Sequence, residues 1–364
     1  MGALQEQKPN TTVSYNPNEA HIVYASDDGF AEILGVSMVS LYENSKDMEF
    51  IAVYVLDSGI TDTNKKKLES ICKTYNRSLP VWIKAMNVSQ ELSMDVAVDR
   101  GSLSQYARLF ISRDVPADLH RVLYLDCDIL INTSIRELWN LDLQGKAVGA
   151  LMDAFSRQYR ANIDLKPDDI MFNSGVMLID LDKWKGKKVE DRLMKFIAHK
   201  HGKIQQGDQG ALNAVLSHDT YCFEPRFNSV TIYYDFSYDE MMVYRKPPKF
   251  YGREQIKRAT ESPAIIHFTT SFLSRRPWVE GCRHKYVGEW MKYKKMSPWK
   301  DENLRKYKKA TGLRGVYITL IKHMPRKIMI GVSGVLQAYG RPFIVKIRSK
   351  NECCLLYTSP SPRD

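Results

Sequence analysis

Short apolar runs that stop on acidic residues recur along this chain of 364 residues, with helically spaced segments between them. The first run is His21-Ile-Val-Tyr-Ala-Ser26, closed by Asp27, Asp28 and Gly29, and helical spacing then runs from Phe30 to Asn44. Phe50-Ile-Ala-Val-Tyr-Val-Leu56 is the second, with Asp57-Ser58-Gly59 as its turn. Thr61 is placed to cap a helix reaching Tyr75, and Val81-Trp-Ile-Lys-Ala-Met86 is a third run. Apolar runs too short for helices, separated by helices, are the pattern of buried strands joined by crossovers. The spacing therefore predicts an α/β fold on a parallel sheet.

Further on, Arg121-Val-Leu-Tyr-Leu125 ends in Asp126-Cys127-Asp128, Val148-Gly-Ala-Leu-Met152 ends in Asp153, and Ser174-Gly-Val-Met-Leu-Ile179 ends in Asp180. Open α/β sheets bind ligands beyond the carboxyl ends of their strands, so these acids are candidates to line a site. Turns after strands also favour aspartate for local reasons. Two pairs share the spacing Asp-x-Asp and differ in context. Asp182 of Asp180-Leu-Asp182 is placed to cap a helix starting at Lys183. Asp126 and Asp128 lie between apolar stretches, since Ile129-Leu-Ile131 follows them. Two carboxylates there repel and lose hydration unless a cation neutralises them. Mg²⁺ or Mn²⁺ bridging to a diphosphate does so, and a plain strand-end turn is the alternative reading.

Other candidates carry two readings each. His267 after Ala264-Ile-Ile266 is a core histidine, or a ligand that biases the site toward Mn²⁺. Asp208 before Gln209 is a helix cap or part of a site. Arg108 is a surface helix arginine or a bridge between carboxylate and phosphate. Asn173 is a turn residue or a site residue.

The order and context of these segments are more specific than any one of them. Ile22-Val-Tyr-Ala-Ser-Asp27, Val55-Leu-Asp-Ser-Gly-Ile60, Tyr106-Ala-Arg-Leu109, Val122-Leu-Tyr-Leu-Asp-Cys-Asp128, Phe172-Asn-Ser-Gly-Val176, Asp208-Gln209 with Leu212-Asn213, and His267-Phe268 with Arg276-Pro-Trp278 carry the argument. From His21 to Trp278 the chain resembles the retaining glycosyltransferases of family 8, which include bacterial lipopolysaccharide galactosyl- and glucosyltransferases and glycogenin. The resemblance implies a GT-A fold, a Rossmann-like, mainly parallel sheet flanked by helices. It also implies a UDP-hexose donor and a saccharide or lipid-linked saccharide acceptor. Residue by residue, it implies that Ala25 and Asp27 hold uracil and ribose, and that Asp126, Asp128 and His267 bind Mn²⁺, with Mg²⁺ as the substitute. Arg108, Asp153, Asn173 and Asp208 are implied around the donor hexose, and Gln209 on its face opposite the leaving group. Arg276 stands in for a family lysine on the diphosphate.

The chain departs from the family at Gly29 and Phe30, where Asn and Tyr are common, and in the stretch from His267 to Trp278, which is longer than the usual loop and lacks its glycine. Thr269, Thr270 and Ser271 are the candidate replacements for the donors of that loop. The resemblance implies front-face attack, with a leaving-group phosphate oxygen taking the acceptor proton. Gln209 is neutral and a poor nucleophile, so its expected role is to stabilise positive charge on the sugar, and Asp208 is the candidate if a covalent route exists. Rival readings are a self-glucosylating, glycogenin-like initiator, a non-catalytic sugar-nucleotide-binding protein, and a nucleotidyltransferase. Against the last of these, the chain shows no glycine-rich phosphate loop near its first strand.

Charge separates the organisation of the chain. Residues 281–350 hold 18 Lys/Arg against 3 Asp/Glu, whereas residues 1–280 hold 34 against 37. The expected layout is a disordered lead-in over 1–18, a catalytic domain over 19–280 and a basic helical tail over 281–350. The tail reads as a solvated amphipathic face, or as an attachment to an anionic membrane surface through its lysines and arginines with Trp299, Tyr307 and Ile328-Met-Ile330. No nucleic-acid motif accompanies the charge. No apolar run reads as long enough to span a bilayer. The N-terminus lacks the pattern of an export signal and the Cys are scattered, so a cytoplasmic protein, peripheral at the inner face of the membrane, is expected. Residues 354–364 match what a common transposon-type sequencing adapter encodes in one reading frame, and they are set aside.

Overall fold

A computed structural model describes residues 15–96, 103–307 and 323–347, with positions 312, 315, 319 and 320 between. Residues 1–14 of the lead-in, Lys308 and Lys309 of the basic segment, and residues 354–364 lie outside the described residues. The strands are β1 (Glu19–Ser26), β2 (Phe50–Asp57), β3 (Val81–Lys84), β4 (Arg121–Leu125), β5 (Ile129–Ile131), β6 (Val148–Met152), β7 (Phe172–Asp180), β8 (Thr220–Cys222), β9 (Ser229–Val230) and β10 (Ile265–His267). They form a seven-stranded sheet of order β3-β2-β1-β4-β7-β6-β8 and a small sheet of order β5-β10-β9. Helices α1 (Ala31–Asn44) and α2 (Asp62–Thr74) supply the first two crossovers, and Thr61 caps α2 by accepting from the Asn64 amide at 3.4 Å.

Alternate residues of the central strands enter two different cores. Ile22, Tyr24, Val53, Val55, Leu123 and Leu125 face one layer; Val23, Tyr54, Leu56, Val122 and Tyr124 face the other. Burial on both faces is what makes these strands read as continuous apolar runs. The order is parallel from β3 through β4, but β7 runs antiparallel to both β4 and β6. This corrects the reading of Asp180. It pairs with Arg121 at the start of β4, at the opposite edge from Asp126, and it caps the helix Leu181–Gly186 by accepting from the Lys183 amide at 2.9 Å. Asp182, expected as that cap, sits on the surface against His120 at 2.9 Å.

Residues 15–18 and the described part of the basic segment are tied to the body more than expected. Residues 15–18 of the lead-in are pinned: the Tyr15 ring packs edge-on to Trp139, and the Asn140 side chain donates to the Pro17 carbonyl at 3.0 Å. Trp290, Tyr293 and Trp299 belong to the main core, and a Cβ at Gly35 of α1 would overlap the Trp299 ring. Lys294 is buried in an ion pair with Glu32. Trp299, Lys294, Met329 and Ile330 are therefore withdrawn from the lipid-facing set, because burying them in the protein satisfies them first.

Arg326–Ile347 is a single run of 22 helical residues, long and apolar enough by length and composition to cross a membrane. This overturns the expectation of no such run. One face packs on the body, with Ser333, Gly334 and Ala338 buried, and the Ser156 hydroxyl donates to the Ala338 carbonyl at 2.6 Å. The other face is an exposed apolar stripe of Ile328, Val332, Val335, Tyr339, Phe343 and Ile347.

Candidate active site

The link Asp126-Cys127-Asp128 carries the chain from β4 of the large sheet into β5 of the small one. β10 pairs antiparallel with β5 and sets His267 opposite Ile129, beside Asp128. The start of β7 runs alongside, with the Asp126 amide donating to the Gly175 carbonyl at 2.8 Å. The buried Cys127 thiol donates to the Ala25 carbonyl at 3.2 Å and anchors the turn to β1. Residues far apart in the chain are thus brought together by sheet register.

One ligand atom from each of Asp126, Asp128 and His267 lies within 4.8 Å of the others. The His267 Nε2 is 3.2 Å from an Asp128 oxygen and 3.8 Å from an Asp126 oxygen. Neighbouring ligands of an octahedral ion at ~2.1 Å lie about 3 Å apart, so this donor set fits a hard divalent cation. Gly175 leaves the space open, since a Cβ there would overlap the His267 ring and reach 2.9 Å from Asp126 Oδ2. The imidazole is oriented from behind. The Asn228 amide nitrogen donates to Asn173 Oδ1 at 2.9 Å, which leaves Asn228 Oδ1 to accept from His267 Nδ1 at 2.9 Å. The tautomer this favours carries its lone pair on Nε2, toward the carboxylates.

Two guanidinium groups compensate the acids. Arg108 contacts Asp126 at 2.9 Å and Asp208 at 3.0 Å, and lies over the Tyr124 ring at 4.7 Å. Burial opposes the Arg108 charge, but Asp126 and Asp208 outweigh it and hold the group above its ordinary pKa. Tyr124 donates to Asp126 at 2.9 Å, and burial pushes its phenol well up, so it stays a donor. Arg276 contacts Asp128 at 2.9 Å and is steered by the Thr270 hydroxyl, which accepts from it at 2.7 Å.

The remaining candidates come from the helix Gly207–Leu216. Its N-cap is Gln206, in the left-handed region at φ 70°, with no side-chain cap bond. The capping role expected for Asp208 is therefore replaced by its contact with Arg108. Asn213 locks the helix to β7 through reciprocal bonds with the Phe172 backbone, at 2.6 and 2.9 Å. Gln209 then reaches the start of β7, accepting from the Ser174 amide at 3.3 Å, and donates to Asp153 at 3.4 Å.

Ala25, Asp27, Arg108, Asp126, Asp128, Asn173, Asp208, Gln209, His267 and Arg276 line one cleft. Asp153 lines the adjoining cleft, which shares Asn173 and Gln209. Of the three hydroxyl residues in the altered loop, Thr269 lines the first cleft, Thr270 orients Arg276, and Ser271 turns away to Asp235. Phe30, at a position of family departure, also lines the cleft and packs edge-on to Trp278. Sequence reasoning missed Asn228, Gln105, Gln206 and Tyr124. Tyr124 had a local signal, standing on β4 two residues before Asp126, whereas Asn228 had none.

The comparisons agree with this construction. Residues 21–281 match the sequence model of Glycosyl transferase family 8. The chain is 31% identical over 284 residues to General stress protein A of Bacillus subtilis (strain 168), covering 77% of this chain and 94% of that protein. It is 24% identical over 332 residues to Lipopolysaccharide 1,2-glucosyltransferase of Escherichia coli (strain K12), covering 88% and 91%. A crystal structure of galactosyltransferase LgtC with donor and acceptor sugar analogs has the same GT-A fold, with a TM-score of 0.64 at 24% identity over 76% of this chain and 96% of that one. With a match that spans the large sheet, the paired acids and the helix carrying Gln209, this chain belongs to glycosyl transferase family 8.

Proposed function

We propose that the protein is a retaining, metal-dependent hexosyltransferase that moves glucose or galactose from a UDP-sugar to a saccharide of lipopolysaccharide or another surface glycan. The observation that carries this is the convergence of Asp126, Asp128 and His267 within 4.8 Å, in a cleft that is also lined by Ala25, Asp27, Asp208 and Gln209. The similarity to a lipopolysaccharide glucosyltransferase supports the acceptor class.

Bound by those three residues, Mn²⁺ or Mg²⁺ would supply Lewis acidity to the leaving diphosphate. Arg276 adds a guanidinium aimed at the same negative charge. As the anomeric carbon parts from the diphosphate oxygen, the acceptor oxygen bonds to the same face and its proton passes to a phosphate oxygen of the leaving group. Gln209 stabilises the positive charge that develops on the sugar. Asp208 is committed to Arg108 at 3.0 Å, which lowers its nucleophilicity and weighs against a covalent route.

We place the enzyme on the cytoplasmic side of an anionic membrane. The exposed stripe from Ile328 to Ile347 gives a surface for the interface, with Lys327 and Lys346 exposed beside it. The test is incubation with Mn²⁺ and a panel of nucleotide sugars, with and without saccharide acceptors. The expected result is turnover of a UDP-hexose that Asp128→Ala abolishes without loss of fold. Binding of donor with no turnover would favour a non-catalytic sugar-nucleotide-binding protein. Label on the chain itself would favour a self-glucosylating initiator.

A further inference from the structure

The donor cleft opens into a second cleft of about 520 Å³, and the two share Asn173, Gln206, Gln209 and Thr269. The far wall of the second cleft includes Tyr244 and Arg245 and, from the C-terminal helix, Gln337 and Arg341. That helix lies beyond residue 281, where the family match ends. It is fixed in place rather than loosely apposed. Gln337 donates to the Tyr159 hydroxyl at 2.8 Å, Asn162 donates to the Pro342 carbonyl at 2.8 Å, and Arg326 makes a two-pronged contact with Glu240 at 2.7 and 2.8 Å. Gly334 permits the close approach, since a Cβ there would come within 2.6 Å of the Val243 carbonyl oxygen. The helix adopts a π turn over Leu336–Gly340, which spans Gln337 and leads into Arg341.

Among the described residues of this lining, cations outnumber acids. Asp153 is the one acid in the lining, and it already accepts from Gln209 and from the Ala154 amide at 2.8 Å. Arg245 and Arg341 are both cations. The Arg245 guanidinium lies 5.4 Å from the centres of the Phe155 and Tyr244 rings, and its buried Nε has no hydrogen-bond partner among the described residues. A buried guanidinium N–H left unpaired costs free energy that a bound anion recovers. The planar fork of arginine matches a phosphate or carboxylate.

We infer that the second cleft binds an anionic acceptor: a saccharide bearing a phosphate or carboxylate, held by Arg245 together with Arg341 of the C-terminal helix. The acceptor is then held where the two clefts join, with its hydroxyl on the leaving-group face of the sugar. This rests on the glycosyltransferase reading above.

The test is calorimetric titration of the full chain, saturated with Mg²⁺ and UDP so that the diphosphate subsite is filled, with glucose, glucose 6-phosphate and glucuronic acid. The expected result is that the charged sugars bind at least ~10-fold more tightly than glucose, and that Arg245→Gln with Arg341→Gln removes the difference. Arg341→Gln alone, at an exposed position, guards against misfolding and should itself reduce the preference several-fold. Equal affinity for charged and neutral sugars, or a preference that survives both substitutions, overturns the inference. Octyl glucoside 6-phosphate separates the sources of the anion: tighter binding than glucose 6-phosphate assigns a lipid-linked acceptor, equal binding assigns a soluble one, and both uphold the anion. A wild-type chain that fails to bind UDP with Mg²⁺ defeats the proposed function itself, whereas UDP binding without discrimination among the sugars defeats this inference alone.

Discussion

Asn228 accepts from His267 Nδ1 at 2.9 Å while its own amide nitrogen donates to Asn173 at 2.9 Å, so a residue outside every motif sets the face that the imidazole presents to the paired aspartates. Groups that orient a metal-binding histidine from behind typically account for 10–100-fold in metal affinity. Asn228→Ala is expected to weaken Mn²⁺ binding in the presence of UDP by about that factor. The check is electron paramagnetic resonance of free Mn²⁺, with circular dichroism to show that the fold persists. Unchanged Mn²⁺ affinity in a folded variant removes the positioning role.

Arg276 occupies the outer oxygen of Asp128 at 2.9 Å and so competes electrostatically with any cation entering between the acids. The same guanidinium is proposed to assist the diphosphate once the donor is present. The two roles predict opposite signs. Arg276→Ala should bind Mn²⁺ more tightly than wild type without nucleotide, yet lose about 10²-fold in kcat with the UDP-sugar. Titrating Mn²⁺ with and without UDP, alongside steady-state kinetics, distinguishes this from a structural arginine, whose loss would move both measurements in one direction.

Trp299 joins the basic segment to the catalytic body by covering Gly35 of α1, and Lys294 caps the arrangement by donating to the Trp299 carbonyl at 2.8 Å. Deleting a buried indole leaves a cavity that rigid helix and sheet cannot close. Trp299→Ala should cost about 3–5 kcal/mol in urea denaturation. A cost below ~1 kcal/mol would mean that this segment does not belong to the cooperative unit of the sheet.

β1, β2 and β4 were legible because each is buried on both faces, so apolar length alone marks it, whereas β3 is a partly exposed edge strand and the order of the strands in the sheet was not read. Direction was not legible. The run Ser174–Ile179 looks the same in either sense, and only pairing revealed that β7 is antiparallel, so that its start at Asn173 and not its end at Asp180 faces the site. The residues of the cleft were legible from motif order. Asn228 was not, since it acts from a short turn ahead of the two-residue strand β9 through contacts that are tertiary. The outer face of the C-terminal helix was half legible. Its apolar positions stand at helical spacing, but Arg341 and Lys346 obscured a stripe that becomes continuous once the residues are wound onto a helix.

His284 yields a pH dependence outside the active site. It is buried between Tyr234 and Phe268, with ring centres at 4.7 and 4.9 Å. Its Nδ1 accepts from the Tyr286 amide at 3.2 Å, and its buried Nε2 has no hydrogen-bond partner among the described residues. Burial lowers its pKa from 6.5 to about 4, so the folded state resists the proton that the unfolded chain takes up. Between those values the unfolded state binds more protons than the folded one, and stability must rise with pH. The contribution of His284 is complete above about pH 6.5 and is lost as pH falls toward 4, a change on the order of 3 kcal/mol. Urea denaturation at intervals from pH 7 to 4 should show this decline in wild type and a shallower one in His284→Gln. Parallel pH profiles for the two proteins would assign the acid sensitivity to other groups.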